Sequence, residues 1–220
     1  FDMTLLTELS VRGQPLSHAY FPRSGFISMV IDVDSYPALE VGMVGRESML
    51  GAELVLGLAK PPWSALVQVK GQSWRIEAKT LRQECIASPT LRQVIQTSLL
   101  VRLHQQTLAC ACERFHMLGP RLARWLLMSH DRAEADTFHV TQEFMALMLG
   151  VRRVGVTVAA GEFQKSGLIE YHRGEITVLD RPGLEAQACS CYAADQRLYA
   201  ELTKGRPYRS CPVKSSFISV

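Results

Sequence analysis

Apolar residues follow three successive rhythms along the chain. Over residues 1–84 they come in short runs cut by Gly and Pro. Residues 20–33 (YFPRSGFISMVIDV) alternate and are rich in β-branched and aromatic side chains, with Pro22 and Gly25 as punctuation, and read as strand. Residues 39–44, 64–69 and 73–76 continue the pattern, with Gly71 as a turn. Many short strands spaced this way predict a small barrel or jelly roll. From Pro89 to about Met117 the spacing changes. Leu91, Val94, Ser98, Val101, Gln105, Leu108, Cys112 and Phe115 alternate three and four apart, the seam of a heptad repeat. One long helix is predicted there, with polar Ser98 and Gln105 able to set the register of a pair. The competing reading is an amphipathic helix lying on the roll. Gly119-Pro120 breaks the helix and marks a hinge.

The third rhythm is a compact helical pair. Residues 121–133 form a helix with Leu122, Trp125, Leu126 and Met128 inward, and a polar linker over 133–137 follows. Thr141 is an N-cap by type, and Met145, Met148 and Leu149 share a helical face. Ala146 is small where a second helix must cross. Gly150 suits the left-handed residue that ends a helix, and Val151 turns back toward the core. A second helix over about 152–166 points Val156, Ala159 and Phe163 inward. Arg152, Arg153, Val154, Thr157 and Val158 are left on its outer face, where a helix-turn-helix meets the major groove. IEYHRGEITVLD then alternates as a strand pair around His172-Arg173-Gly174, which makes the unit a winged helix. Residues 184–202 read as a further helix, and the basic, turn-rich end as a tail. An ordinary αα-hairpin in an all-helical core is the plainer alternative for the pair alone.

The run HVTQEFMALMLGVRRVGVTVAAGEFQKSGLIEYHRGEITVLDRPGLE resembles the C-terminal DNA-binding domain of the Crp/Fnr family of bacterial transcription regulators. The chain from about Tyr20 onward is similar to that family's sensor domain and dimer helix. The resemblance implies an α+β chain: a β-roll sensor over 1–87, a dimerisation helix over 88–117 and a winged helix-turn-helix domain over 118–220. It also implies a homodimer on double-stranded DNA, contact with RNA polymerase, and sensor residues upstream of Phe1. By analogy Thr141, Gln142, Arg152, Arg153, Val154, Thr157, Val158, His172 and Arg173 would meet DNA. Leu91, Val94, Ser98, Val101, Gln105, Leu108 and Cys112 would form the dimer interface. The family's nucleotide cassette pairs a Gly-Glu-Leu turn with an Arg-Ser-Ala that grips the cyclic phosphate. Here Gly51 and Glu53 are split by Ala52, and Trp63-Ser64-Ala65 stands in place of the arginine. An indole cannot neutralise a phosphate. Cyclic AMP is therefore not the expected effector, and an unknown small molecule at Gly51, Glu53, Trp63 and Ser64 is the open possibility. Arg46 and Glu47 read as an internal ion pair or solvated loop charges.

Composition adjusts this picture only slightly. The 220 residues are 47% hydrophobic and can build real cores, while a net charge of +3 is a weak hint toward nucleic acid. No run reaches the ~20 apolar residues of a membrane span. Six cysteines without a secretory leader suit a reducing cytoplasm. Two Cys-x-Cys pairs, Cys110/Cys112 and Cys189/Cys191, lack the usual zinc spacing. Residues two apart on a helix face different ways, so no metal and no cofactor is expected. No acid–base or nucleophile constellation points to an enzyme. The alternative to a regulator is a metabolite-binding signalling or scaffold protein with a non-functional helix-turn-helix.

Overall fold

The structure, a computed structural model, describes residues 1–34 and 36–203. The N-terminal half is a roll of two antiparallel sheets. Its strands are β1 (Asp2–Met3), β2 (Glu8–Ser10), β3 (His18–Pro22), β4 (Phe26–Val33), β5 (Tyr36–Val44), β6 (Ser64–Val69) and β7 (Gly71–Glu77), with a short 3-10 helix at Ala52–Leu56. One sheet runs β1-β7-β3 and the other β2-β6-β4-β5. Ile27, Met29, Val44, Leu50, Ala65 and Val67 fill the space between them. Gly71 is not a turn but the first residue of β7. A Cβ there would lie 2.1 Å from the Ser24 carbonyl oxygen, so only glycine lets the two backbones approach.

Helix α1 (Ala78–Ala87) follows β7, within the span that the sequence reads as strands. Ala78, Leu81 and Cys85 form its buried face. Ser88 then caps α2 (Pro89–Phe115), its hydroxyl accepting from Leu91 N at 3.2 Å, with Pro89 at the tolerated first position. The break after α2 falls at His116 and Met117, so Gly119 and Pro120 lie inside the first turn of α3 (Leu118–Ala133). β8 (Thr137–His139), α4 (Gln142–Met148), α5 (Arg153–Lys165), β9 (Ile169–His172) and β10 (Glu175–Val178) complete the winged unit. β8 lies in what the sequence reads as linker and its flank, and pairs with β10 to make a third wing strand. The helix expected over 184–202 is two helices, α6 (Arg181–Gln187) and α7 (Cys191–Thr203), bent apart at 188–190. Asp180 starts α6 by accepting from Gly183 N at 2.9 Å. The tail beyond residue 203 lies outside the described residues. No single helix among those described is long and apolar enough to cross a membrane.

α7 packs along α2, and this changes which side of α2 is free. Of the seven residues expected at a dimer seam, Val101 and Cys112 are buried within the protomer, and Gln105 donates to Asp195 of α7 at 3.2 Å. Ile95 and Arg102 pack against the roll. Val94 of the expected seam stays 47% exposed, and a second exposed stripe, Leu100, Leu103, Thr107 and Cys110, again spaced three and four apart, lies on the opposite side of the helix.

The core does not stop at the end of the roll. Phe26, Val30, Met43 and Val69 join Leu122, Trp125 and Leu126 of α3 in one cluster. Polar contacts reinforce this junction. Trp125 Nε1 donates to Glu40 Oε1 at 2.8 Å, and Ser28 donates to the other Glu40 oxygen. Arg132 Nε donates to Glu47 Oε1 at 2.8 Å, while Arg46 pairs with Glu134. Arg46 and Glu47 thus pair not with each other but across to α3 and its C-terminal cap.

Candidate nucleic-acid interface

Thr141 starts the helix-turn-helix as its type predicts, its hydroxyl accepting from Phe144 N at 3.1 Å. α4 buries Met145, Ala146 and Met148. It ends in a Schellman turn: Gly150 N donates to Leu147 O at 3.2 Å, Val151 N donates to Ala146 O at 2.9 Å, and Gly150 has φ 63°. Arg121 of α3 donates to Leu149 O at 2.8 Å and ties this turn to the helix behind it. α5 then leaves at 113° to α4. Val156, Ala159, Ala160 and Phe163 are buried beneath it. Gly155 allows the closest crossing, since a Cβ there would lie 2.8 Å from Leu118 Cδ2.

The outer face of α5 carries Arg152, Arg153, Val154, Thr157 and Val158, all exposed. Val154 and Val158 are 73% and 57% exposed and one turn apart, an apolar surface with no intramolecular reason to face water. Arg152 occupies the N-cap without a side-chain bond to the helix, so the first amides of α5 remain available to an anion. Among the described residues no acid pairs with Arg152, Arg153 or Arg173. Thr157 donates to Gln142 Oε1 at 2.7 Å, joining the start of α4 to the middle of α5.

β9 and β10 meet at a two-residue turn, with Arg173 at φ 49° and Gly174 at φ 85°. Both residues in the left-handed region make the tight turn that matches strand twist. His172 is the last residue of β9 rather than part of the turn, and both it and Arg173 are exposed at the tip. A Cβ on Gly174 would meet His139 Cε1 at 2.9 Å, so the turn sits down on β8. Tyr171 supplies a contact that sequence reasoning missed. Its hydroxyl accepts from Gln142 N at 3.2 Å, which satisfies a free amide of α4 and fixes the wing to the helix pair.

Among the described residues, those expected at an effector pocket each have their own partners in the roll and α2. Glu53 is buried and pairs with Arg102 of α2 at 3.5 Å. Gly51 packs against Leu16 and Ala19, with φ 92°. Trp63 lies against the Met3, Tyr20 and Ile27 cluster, and Ser64 Oγ accepts from Arg12 N at 3.0 Å. A groove of about 760 Å³ lies elsewhere, between Ile31, Val33 and Leu39 of the β4–β5 hairpin and the turn side of α4.

The fold and this face define a class: a β-roll joined by a long helix to a winged helix-turn-helix. Residues 120–187 match the Crp-like helix-turn-helix domain. No curated protein matches the chain by sequence. Among solved structures, FixK2 from Bradyrhizobium japonicum superposes with a TM-score of 0.72 at 13% identity, over 86% of this chain and 96% of that one. TTHB099, a CRP-family transcriptional regulator from Thermus thermophilus, gives 0.69 at 18% identity over 86% and 96%. CLP, a c-di-GMP-responsive global regulator from Xanthomonas campestris, gives 0.64 at 18% identity over 81% and 92%. Residues 120–187 are therefore a Crp-like helix-turn-helix domain, and the chain as a whole has the fold of these solved structures.

Proposed function

We propose that the chain works in the cytoplasm as a homodimer that reads a two-fold-symmetric operator, with residues 152–166 of each protomer in a major groove. The observation that carries this reading is the outer face of α5: unpaired arginines beside exposed valines, on a helix held against α3 and α4. Arg153 reads guanine through O6 and N7, and the two valines contact thymine methyl groups. Arg152, Gln142, His172 and Arg173 hold phosphates and set the register. Thr157 and Gln142 exchange their mutual bond for DNA contacts, and Thr141 keeps its capping role. The twin pairs along the exposed stripe of Leu100, Leu103, Thr107 and Cys110, and RNA polymerase is the partner on the promoter. The effector is a ligand other than cyclic AMP, because Trp63 stands where the phosphate arginine is needed. A scaffold with a decayed helix-turn-helix does not need this arginine face or the contacts that hold it.

Selection of bound sequences from random DNA tests the reading. It should return inverted half-sites, each with one strongly specified G·C pair flanked by T·A preferences. Arg153→Ala should cost about 1–3 kcal/mol on the best site and relax preference at that pair alone. Failure to enrich any sequence, or enrichment that Arg153→Ala leaves unchanged, overturns it.

A further inference from the structure

We propose that Cys112, His116, Cys189 and Cys191 form a closed tetrahedral site for one zinc-class divalent cation, which clamps α7 to the end of α2. Cys112 and His116 are four residues apart at the C-terminal end of α2 and so lie on one face. Cys189 precedes α7 and Cys191 opens it. The expectation that Cys189 and Cys191 diverge holds only for a continuous helix. The bend at 188–190, held by Cys189 N donating to Pro120 O at 3.3 Å, turns both thiols toward α2.

The distances suit one ion. Cys112 Sγ lies 3.4 Å from Cys189 Sγ, Cys191 Sγ lies 3.6 Å from His116 Nδ1, and all four ligand atoms fall within 4.8 Å of one another. Around a tetrahedral zinc, with about 2.3 Å to sulfur and about 2.0–2.1 Å to nitrogen, neighbouring ligand atoms are about 3.5–3.8 Å apart. A disulfide would bring two sulfurs to about 2.05 Å. A multi-iron cluster needs ligands spread around several metal atoms, which this span does not provide.

The donor set agrees with the geometry. Three thiolates and one imidazole form a structural zinc set with no open position, and soft sulfur selects such a metal over magnesium or calcium. The three cysteines are buried and His116 is half-buried. Binding releases the three thiol protons and leaves a net charge of minus one. Arg124 of α3 is the cation that acts on all three thiols, and its buried Nε has no hydrogen-bond partner among the described residues. Cys110, two residues from Cys112, points to solvent and is not a ligand. The site spans α2, the α6–α7 connection and the break before α3. It would therefore lock the C-terminal helix at the joint between the roll's helix and the DNA-binding unit.

The test uses the full chain purified under reducing, oxygen-free conditions. Elemental analysis should find one zinc per chain. After chelation, cobalt titration should give saturable tetrahedral d–d bands with a thiolate charge-transfer band, and zinc should abolish both. Cys110→Ser should bind cobalt with the same spectrum and affinity as wild type. Cys189→Ser and His116→Ala should each weaken binding by at least about tenfold. Because these variants can also disturb the core, wild-type protein is melted with and without chelator, and a reversible fall in Tm of several degrees is expected on stripping. The site is refuted if folded wild-type protein gives no saturable cobalt spectrum, if Cys110→Ser loses the metal as Cys189→Ser does, or if the freshly isolated protein carries a Cys112–Cys189 disulfide.

Discussion

Replacing Glu40 by glutamine should flatten the dependence of stability on pH. Glu40 sits where β5 meets α3, hydrogen-bonded by Trp125 and Ser28. Burial pushes its carboxyl from 4.5 up to about 7, against those two hydrogen bonds and the nearby charges of Arg132 and Arg124, which pull it down. A raised value means that the folded state holds the proton more tightly than the unfolded chain does. The stabilisation is then fully present below the unfolded value of 4.5 and is lost as pH rises through about 7. At about 1.4 kcal/mol for each pH unit between the two values, the gap corresponds to about 3 kcal/mol. Solvent reaching the partly exposed side chain reduces this to about 2 kcal/mol. The amide introduced by Glu40→Gln can still accept from Trp125 and can donate to Ser28, so shape and bonding survive while the titration goes. Urea unfolding between about pH 5 and about pH 8 should show wild type losing about 2 kcal/mol more than Glu40→Gln, or about 4–8 °C in Tm at this chain length. Parallel curves for the two proteins would show that Glu40 is already ionised at the junction, and the assignment of a proton there would fall.

Three further outcomes follow from the same contacts. Leu103→Lys should give folded monomers by sedimentation, because it places a charge on each side of the proposed two-fold seam; a Leu103→Lys dimer moves the seam elsewhere. Arg152→Ala should weaken binding to all sequences alike and reduce the salt slope by about one unit, read from affinities across a salt series, whereas a loss confined to one base pair would exchange the roles of the two arginines. Asp131→Ala removes the shared acceptor of Arg181 at 2.6 Å, Tyr192 at 2.9 Å and Gln196 at 3.3 Å. It should cost about 2–4 kcal/mol, a fall of roughly 4–16 °C in Tm, with a change of under about 2 °C counting against that network as a fastener of α6 and α7.

The helix-turn-helix was legible because its signals are local. Thr141, Gly150 and the buried spacing of Met145, Val156 and Phe163 each act within a few residues of their effect. β8 was not legible, since three residues carry no periodicity and its strand character comes from pairing with β10. The faces of α2 were ambiguous for a different reason. One helix carries two stripes at heptad spacing, and only the arrival of α7, about ninety residues later in sequence, assigns one to the protomer's own core. The α1 helix was hidden by its shortness, ten residues directly after a strand. The cysteine cluster was missed because Cys189 and Cys191 were placed on one continuous helix, and no local signal marked the bend between them. Tyr171 could have been found, as an aromatic hydroxyl in a wing strand beside a helix start, but its partner is a backbone amide that no side-chain pattern reveals.

On the proposed reading, base recognition by this surface is narrow. A bidentate arginine–guanine contact is worth about 1–3 kcal/mol, so the two copies of Arg153 in a dimer supply about 2–6 kcal/mol. Specific binding typically exceeds non-specific binding by about 4–10 kcal/mol. Methyl contacts from Val154 and Val158 add discrimination for thymine but make no directional bond. The remaining specificity then falls to the shape and deformability of the DNA, felt through backbone contacts. The structure is built to transmit such contacts. Tyr171 holds the wing to α4, Arg121 holds the α4–α5 turn to α3, and the Gly155–Leu118 crossing holds α5 on the same helix. The wing tip and the recognition helix therefore present their cations at a fixed separation. DNA that must bend or widen a groove to meet both bears a cost set by its sequence, including at base pairs that no side chain touches.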